Sequence, residues 1–108
     1  MELNNIIVIS IMGRIDHLSC GKLDKYLKNQ VHQGNVNLVL DFKNVDFTDA
    51  DGLRVLLSSI KETRAKGGDI LLVNTSPLIQ DILITTGFSN QFQIFTDMNT
   101  ALMNFQYK

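Results

Sequence analysis

The stretch Val45-Asp46-Phe47-Thr48-Asp49-Ala50-Asp51-Gly52-Leu53 decides the fold, because it joins an apolar strand to an apolar helix. Residues 37–42 before it are mostly apolar and typical of a strand, and an apolar stripe at helical spacing begins at Leu53. A connection from strand to helix lies at the carboxyl edge of the sheet, where α/β proteins usually place their sites. The stretch therefore predicts an α/β fold with a candidate functional site.

A helix cap explains much of this stretch without any ligand. Residues 48–51 match the capping-box pattern [ST]-x-x-[DE], with Thr48 as the predicted N-cap. Acidic side chains are also stabilised by the positive end of the helix dipole. Such a cap contributes about 0.5–2 kcal/mol, so the carboxylates alone do not demonstrate a binding site.

The remaining sequence alternates between strand and helix patterns. Residues 6–11 are β-branched and predict a strand that is buried on both faces and ends at Gly13. A helix over residues 19–31 ends at Gly34-Asn35, and a third strand is predicted over residues 69–74. Cys20 lies on the apolar stripe of that first helix, so we expect a buried thiol.

The last third of the chain supplies two more helices and one more strand. Ser76-Pro77 is typical of a helix start, and Gly87 is the expected stop. A short strand at residues 91–95 and a helix capped by Thr96-Asp97 follow. The residues predicted to face the core from these two helices are Leu78, Ile79, Ile82, Leu83, Met98, Ala101, Leu102 and Phe105. The order βαβαβαβα predicts a mainly parallel sheet of four strands, covered by about four helices.

The central stretch also resembles the signature of STAS domains, the family that includes the bacterial anti-sigma-factor antagonists. Asp46, Phe47, Asp49, Gly52 and Leu53 fit that signature. Upstream, residues 13–16 (Gly-Arg-Ile-Asp) match the step that leads to the first helix in the family, and residues 67–69 (Gly-Gly-Asp) are similar as well. The resemblance covers nearly the whole chain and implies one STAS-like domain over residues 1–108. STAS domains usually begin with two strands, so the first is expected to be shortened or lost here, which leaves a different sheet edge.

The resemblance implies a partner and a switch. In the family, the hydroxyl residue after the aspartate is phosphorylated by an ATP-dependent serine kinase that is also an anti-sigma factor, and phosphorylation prevents docking. Ala50 occupies that position in this chain and cannot be phosphorylated. We therefore expect a permanently unmodified form that docks its partner through Asp16 and the segment from Asp46 to Gly52. Arg54, Ser58 and Lys61 are candidates on the exposed side of the following helix.

Other residues in or near this stretch suggest alternatives to an unmodified docking surface. Asp51 could imitate a phosphate, but it carries a single charge and lies about 100° around the helix from Ala50. Thr48 or the pair Ser58-Ser59 could accept a phosphoryl group, although neither has the family's position. Asp41, Asp46, Asp49 and Asp51, with Asp16 nearby, could bind Mg²⁺. Helix caps and solvated loop carboxylates explain the same acids, so we predict no metal and no cofactor.

Composition excludes several other classes of function. The 108 residues suit one domain, and a formal net charge of −1 without a run of Lys or Arg argues against nucleic-acid binding. No apolar stretch reaches the ~20 residues of a membrane span, and the N-terminus lacks the features of a signal peptide. We therefore expect no membrane insertion and a cytoplasmic protein.

The sequence contains no recognisable catalytic set. His17 follows Asp16, but no activated nucleophile accompanies the pair, so we expect a histidine exposed in a surface loop. We predict a protein-binding module and not an enzyme. The resemblance leaves a second class open, a STAS subunit that braces the ATPase of a lipid-transporting ABC complex. It also leaves open whether the domain associates with itself through an uncovered sheet edge.

Overall fold

The computed structural model describes residues 5–106 as four strands that alternate with four helices. The strands are β1 (Ile6–Ile15), β2 (Asn37–Thr48), β3 (Asp69–Val73) and β4 (Gln93–Phe95). The helices are α1 (Cys20–His32), α2 (Ala50–Ala65), α3 (Pro77–Thr85) and α4 (Met98–Gln106), with a short 3₁₀ turn at Ser89–Gln91. All strands are parallel and stand in the order β1-β2-β3-β4. The predicted α/β class, element order and parallel sheet are confirmed.

The two faces of the sheet are covered unequally. Leu38, Leu40 and Leu72 point towards a large core formed with α1, α2 and α3. Val39 and Leu71 point the other way and pack on Ala101 and Phe105 of α4 and on their neighbours. This alternation along β2 and β3 follows from the period of two in a strand. Three helices therefore bury one face, and a single helix of nine residues buries much of the other.

The first strand differs from its prediction in two ways. It continues past Gly13 to Ile15, and Gly13 adopts a positive φ of 84° inside it. It is also not buried on both faces, because it lies at the edge of the sheet, where Val8 and Met12 are 46% and 77% exposed. Within residues 5–106 it is the only strand before α1. Residues 1–4, where we expected a shortened or lost first strand, lie outside the described residues.

The second strand is twice as long as predicted and contains two irregularities. Its pairing with β1 starts with an offset of 31 residues at Ile6 and Asn37 and ends with an offset of 33 at Ile15 and Thr48. Each shift adds one residue to β2, as in a β-bulge. Asp46 is the residue skipped at the second shift, between Val45 and Phe47. The predicted acidic loop is therefore not a loop, because its first residues belong to β2 and only Asp49 lies between β2 and α2.

Two details of α3 and β4 also differ from the predictions. Ser76 caps α3 as predicted, since its hydroxyl accepts the N–H of Ile79 at 3.2 Å. Leu78, however, is 53% exposed, because the buried stripe runs through Ile79 and Leu83 and Leu78 lies about 100° away from it. The fourth strand is limited to Gln93–Phe95, since the residues before it form the 3₁₀ turn. The other residues predicted to face the core do so: Ile79, Leu83, Ala101 and Phe105 are buried, and Ile82, Met98 and Leu102 are partly buried against it. Cys20 is buried and free, as expected.

A close backbone contact fixes the connection from α2 to β3. A Cβ atom added to Gly68 would lie 1.8 Å from the carbonyl oxygen of Val36, which precedes β2. The same carbonyl accepts the N–H of Asp69 at 2.8 Å. Only glycine permits this approach of two backbone segments.

We predict that Gly68→Ala lowers the free energy of unfolding by about 1–3 kcal/mol, the usual cost of an overpacked buried site. The control is Gly21→Ala in α1, where the added Cβ meets no atom outside its own stretch of helix within 4 Å. That substitution should stabilise the protein by up to about 1 kcal/mol, because alanine favours the helix. Equilibrium denaturation of both variants measures the difference, and equal stability of Gly68→Ala and wild type would contradict the packing argument.

Candidate functional site

The site lies at the carboxyl edge of the sheet, where β1 and β2 end and α2 begins. Asp49 is the N-cap of α2, and its Oδ1 accepts the N–H of Gly52 at 2.8 Å. The prediction that Thr48 caps this helix is wrong. Thr48 is still in β2, paired with Ile15, and its buried hydroxyl donates to the Ile15 carbonyl oxygen at 2.8 Å. The longer strand shifts the cap by one residue, so Ala50 is the first residue of α2.

Gly52 allows α2 to start against the end of β1. A Cβ atom at this position would lie 2.2 Å from the carbonyl oxygen of Ile15 and 3.2 Å from the nitrogen of Asp16. These neighbours are backbone atoms, so a side chain could fit only if the helix moved away from the strand. The glycine of the motif therefore has a steric reason that is independent of any partner.

A contact joins Asp49, at the start of α2, to His17 in the turn between β1 and α1. The second carboxylate oxygen of Asp49 lies 3.4 Å from the backbone nitrogen of His17 and 3.5 Å from its Nδ1. The N–H of Gly52 first, and then the contacts with His17, hold the pKa of Asp49 below its ordinary value. His17 is exposed, as expected, but its contact with Asp49 was not predicted. No signal in the sequence marks it, since 32 residues separate the two.

Asp16 points into its own loop. Its Oδ1 accepts the N–H groups of Leu18 and Ser19, both at 3.1 Å, and its Oδ2 accepts Nε of Arg14 at 3.0 Å. Arg14 first, and then the hydrogen bonds from the loop, lower the pKa of Asp16 to about 2. Only 8% of the residue is exposed. Asp16 therefore shapes the turn from β1 to α1 and offers little surface to a partner.

Arg14 also contacts an aromatic ring of the motif. Its guanidinium carbon lies 4.4 Å from the centre of the Phe47 ring, a cation–π distance. Arg14 and Phe47 are paired across β1 and β2, so the register itself brings them together. The guanidinium thus joins the Phe47 ring to the Asp16 carboxylate. This contact was not predicted from the sequence, although both residues belong to the quoted motifs.

The open part of the site is the start and outer side of α2. Ala50 is partly exposed, and Asp51 is exposed and bonded to Arg54 at 2.7 Å. Arg54, Ser58 and Lys61 are exposed as predicted and line one shallow depression with Leu57. Ser59 is buried, and its hydroxyl donates to Asp24 at 2.8 Å. Of the two helix serines, only Ser58 is accessible.

The five carboxylates that suggested a cation site do not form one cluster. Asp41 accepts the side-chain N–H of Asn74 at 3.1 Å, while Asp16 and Asp51 are each bonded to an arginine. Asp46 is exposed at the second bulge of β2. Across residues 5–106, no group of three or more His, Cys, Asp or Glu side chains could hold a metal ion. None of the helices described is long and apolar enough to cross a membrane.

Comparison with known proteins identifies the family. The STAS domain model matches residues 2–101, and the chain therefore belongs to the STAS domain family. BtrV of Bordetella bronchiseptica is 24% identical over 105 residues, which cover 97% of this chain and 90% of that protein. The anti-sigma F factor antagonist of Paenibacillus polymyxa is 24% identical over 98 residues, which cover 90% and 84%.

The fold agrees with solved structures of the family. The unphosphorylated form of the anti-sigma factor antagonist SpoIIAA superposes with a TM-score of 0.70 at 20% identity, over 96% of this chain and 91% of that one. The resemblance noted from the motifs is thus confirmed at the level of family and fold.

We predict that Asp49→Ala lowers the free energy of unfolding by about 1 kcal/mol, because α2 loses its cap. The matched control is Asp51→Ala, which removes a neighbouring carboxylate that is exposed and bonded only to Arg54 in the contacts described above. Its cost should stay within about 0.5 kcal/mol, as for other surface ion pairs. Denaturation curves at neutral pH measure both values. A larger loss for Asp51→Ala than for Asp49→Ala would refute the assignment of the cap.

Acid should remove the stabilisation that the Asp16 carboxylate provides. Its pKa is about 2 in the folded protein and 3.8 ordinarily, so its contribution is complete above about pH 4 and declines as the pH falls towards 2. The Asp16→Asn variant has no carboxylate at this position and therefore lacks this stabilisation. The difference in unfolding free energy between wild type and Asp16→Asn should therefore shrink from pH 5 to about pH 2. A difference that stays constant over that interval would contradict the assignment.

Proposed function

We propose that this STAS domain is an anti-sigma-factor antagonist-like module that docks a serine-kinase anti-sigma factor without being phosphorylated at the position the family uses. The observation that carries the proposal is Ala50, a partly exposed residue at the first position of α2, within a motif that Asp46, Phe47, Asp49, Gly52 and Leu53 match. Support for the class of partner comes from the anti-sigma F factor antagonist that the chain resembles. We place the protein in the cytoplasm, where such a kinase has access to ATP.

The docking surface in this proposal is the start of α2 together with its outer side. Asp46, Asp49, Ala50 and Asp51 form the first part, and the buried residues Thr48 and Gly52 support them from below. Arg54, Ser58 and Lys61 continue the surface along the helix. Helix surfaces make precise docking sites because their side chains have fixed relative positions. The proposed role of this surface is binding, and we assign it no reaction.

The absence of a hydroxyl at residue 50 changes how docking can be controlled. A phosphoserine there would add about −1.5 to −2 charges beside the carboxylates of Asp49 and Asp51 and would hinder docking. Ala50 keeps the surface in the state that binds. Asp51 is a poor substitute for the phosphate, because it carries one charge and is already bonded to Arg54 at 2.7 Å. We therefore favour a constitutively binding form.

We predict that Ala50→Ser restores an acceptor. Wild type and variant, each with an affinity tag, are expressed in the native cell, captured and analysed by mass spectrometry. Wild type should recover a serine-kinase anti-sigma factor, and the variant should recover less of it, because phosphorylation at residue 50 weakens docking. Only the variant should carry phosphate, and it should carry it on residue 50. The control is Ala65→Ser, which adds an exposed serine at the other end of α2 and should remain unphosphorylated.

Three outcomes would contradict the proposal. Phosphate on Thr48 or Ser58 of the wild-type chain would show that it is modified after all. An Ala50→Ser variant that binds the kinase but is not phosphorylated would show that residue 50 does not reach the kinase active site. Recovery of a transporter ATPase without an anti-sigma factor would assign the domain to a lipid-transporting ABC complex.

A further inference from the structure

The outer edge of β1 is free along its length in the part of the chain that the structure describes. β1 pairs with β2 on one side, and no strand among residues 5–106 pairs with the other side. The strand contains 10 residues, which corresponds to a length of about 33 Å. Its outward N–H and C=O groups can bond another strand. The opposite edge is much shorter, because β4 has only 3 residues.

Residues 6–12 of β1 lack the features that usually prevent pairing between proteins, whereas Gly13, with a φ of 84°, and the charged Arg14 follow at the carboxyl end of the strand. Residues 6–13 contain no charged residue and no proline. Soluble proteins usually block an exposed edge with lysine, proline, a bulge or a very short strand. Here the two extra residues lie in β2 and not in β1. The part of the edge formed by residues 6–12 can therefore pair with another strand.

Apolar side chains flank the edge on both faces of the sheet. Val8 and Met12 are 46% and 77% exposed on the face that α4 leaves open, and Tyr26 of α1 is 45% exposed. Val8 and Met12 line one groove with Leu23 and Tyr26, and Lys22 is the one charged residue of that groove. A strand added to this edge would cover these side chains as well as the backbone.

We propose that the occupant of this edge is a second copy of the chain, paired antiparallel through β1 about a twofold axis. The strand is suited to itself because its uncharged residues bring no like charges into opposition. An axis near Ser10 would place Val8 opposite Met12 and Ile9 opposite Ile11. Pairing of this kind closes a symmetric dimer and joins two four-stranded sheets into one.

The dimer leaves the proposed docking surface free. The start of α2 lies beyond the carboxyl end of β1, and antiparallel pairing directs the carboxyl ends of the two β1 strands in opposite directions. The two docking surfaces would thus lie at opposite sides of the dimer, and each could bind its own partner. The inference concerns a different surface and does not depend on the proposed function.

Sedimentation equilibrium of the full chain tests the proposal. A contact of one strand and part of a helix is a small interface, so we expect a dimer that dissociates on dilution between about 1 mM and about 10 µM. The double variant Val8→Lys, Met12→Lys introduces two positive charges from each chain into the proposed dimer contact. Both positions are exposed, so the fold should be retained, which circular dichroism verifies. The dissociation constant should rise at least tenfold.

The matched control is Leu78→Lys, which makes the same kind of change at an exposed residue of α3. It should leave the dissociation constant unchanged. Hydrogen exchange of the wild type gives the second measurement, in which amides of residues 6–12 should be protected more strongly at high concentration than at low concentration.

The proposal is overturned if the wild type is monomeric at about 1 mM. It is also overturned by a dimer that survives the double substitution with unchanged affinity, since the contact would then lie elsewhere. Loss of a bound cellular protein from the double variant, with no wild-type dimer, would assign the edge to a different partner.

Discussion

The carbonyl group of Ile15 is the contact on which the site depends. Its oxygen accepts the hydroxyl of Thr48 at 2.8 Å and the N–H of Asp49 at 3.3 Å. The first turn of α2 approaches the same oxygen so closely that residue 52 has no space for a side chain. One backbone group at the end of β1 therefore fixes the end of β2, the cap of α2 and the starting point of the docking helix.

The carboxylates of the motif serve this arrangement before they serve any partner. Asp16 closes the turn after β1, and Asp49 links the start of α2 to that turn through His17. Both have a lowered pKa because donors of the protein already surround them. The open surface lies at Asp46, the exposed acid of the motif, and along the outer side of α2. Asp16 and Asp49 are thus largely structural, and partner specificity can vary around them.

Much of the fold could be predicted because it depends on local patterns. The alternation of apolar strands and amphipathic helices, the cap at Ser76 and the stop at Gly87 all follow from residues close together in sequence. The bulges of β2 could not be predicted, because they are defined only by its register with β1. That error moved the helix cap from Asp49 to Thr48. The Arg14 contact with Phe47 and the His17 contact with Asp49 were missed for the same reason, since each joins residues more than thirty positions apart.

The architecture also explains how the acceptor could be lost without loss of the surface. Ala50 is the first residue of α2, and its backbone position is fixed by neighbours on both sides, the cap at Asp49 and the close contact at Gly52. No contact described at the site uses the side chain of residue 50, and alanine is the residue most compatible with a helix. Replacement of a hydroxyl residue by alanine would therefore leave the scaffold intact and remove only the chemical group that a kinase can modify. The same scaffold can thus serve a switchable protein or a constitutive one.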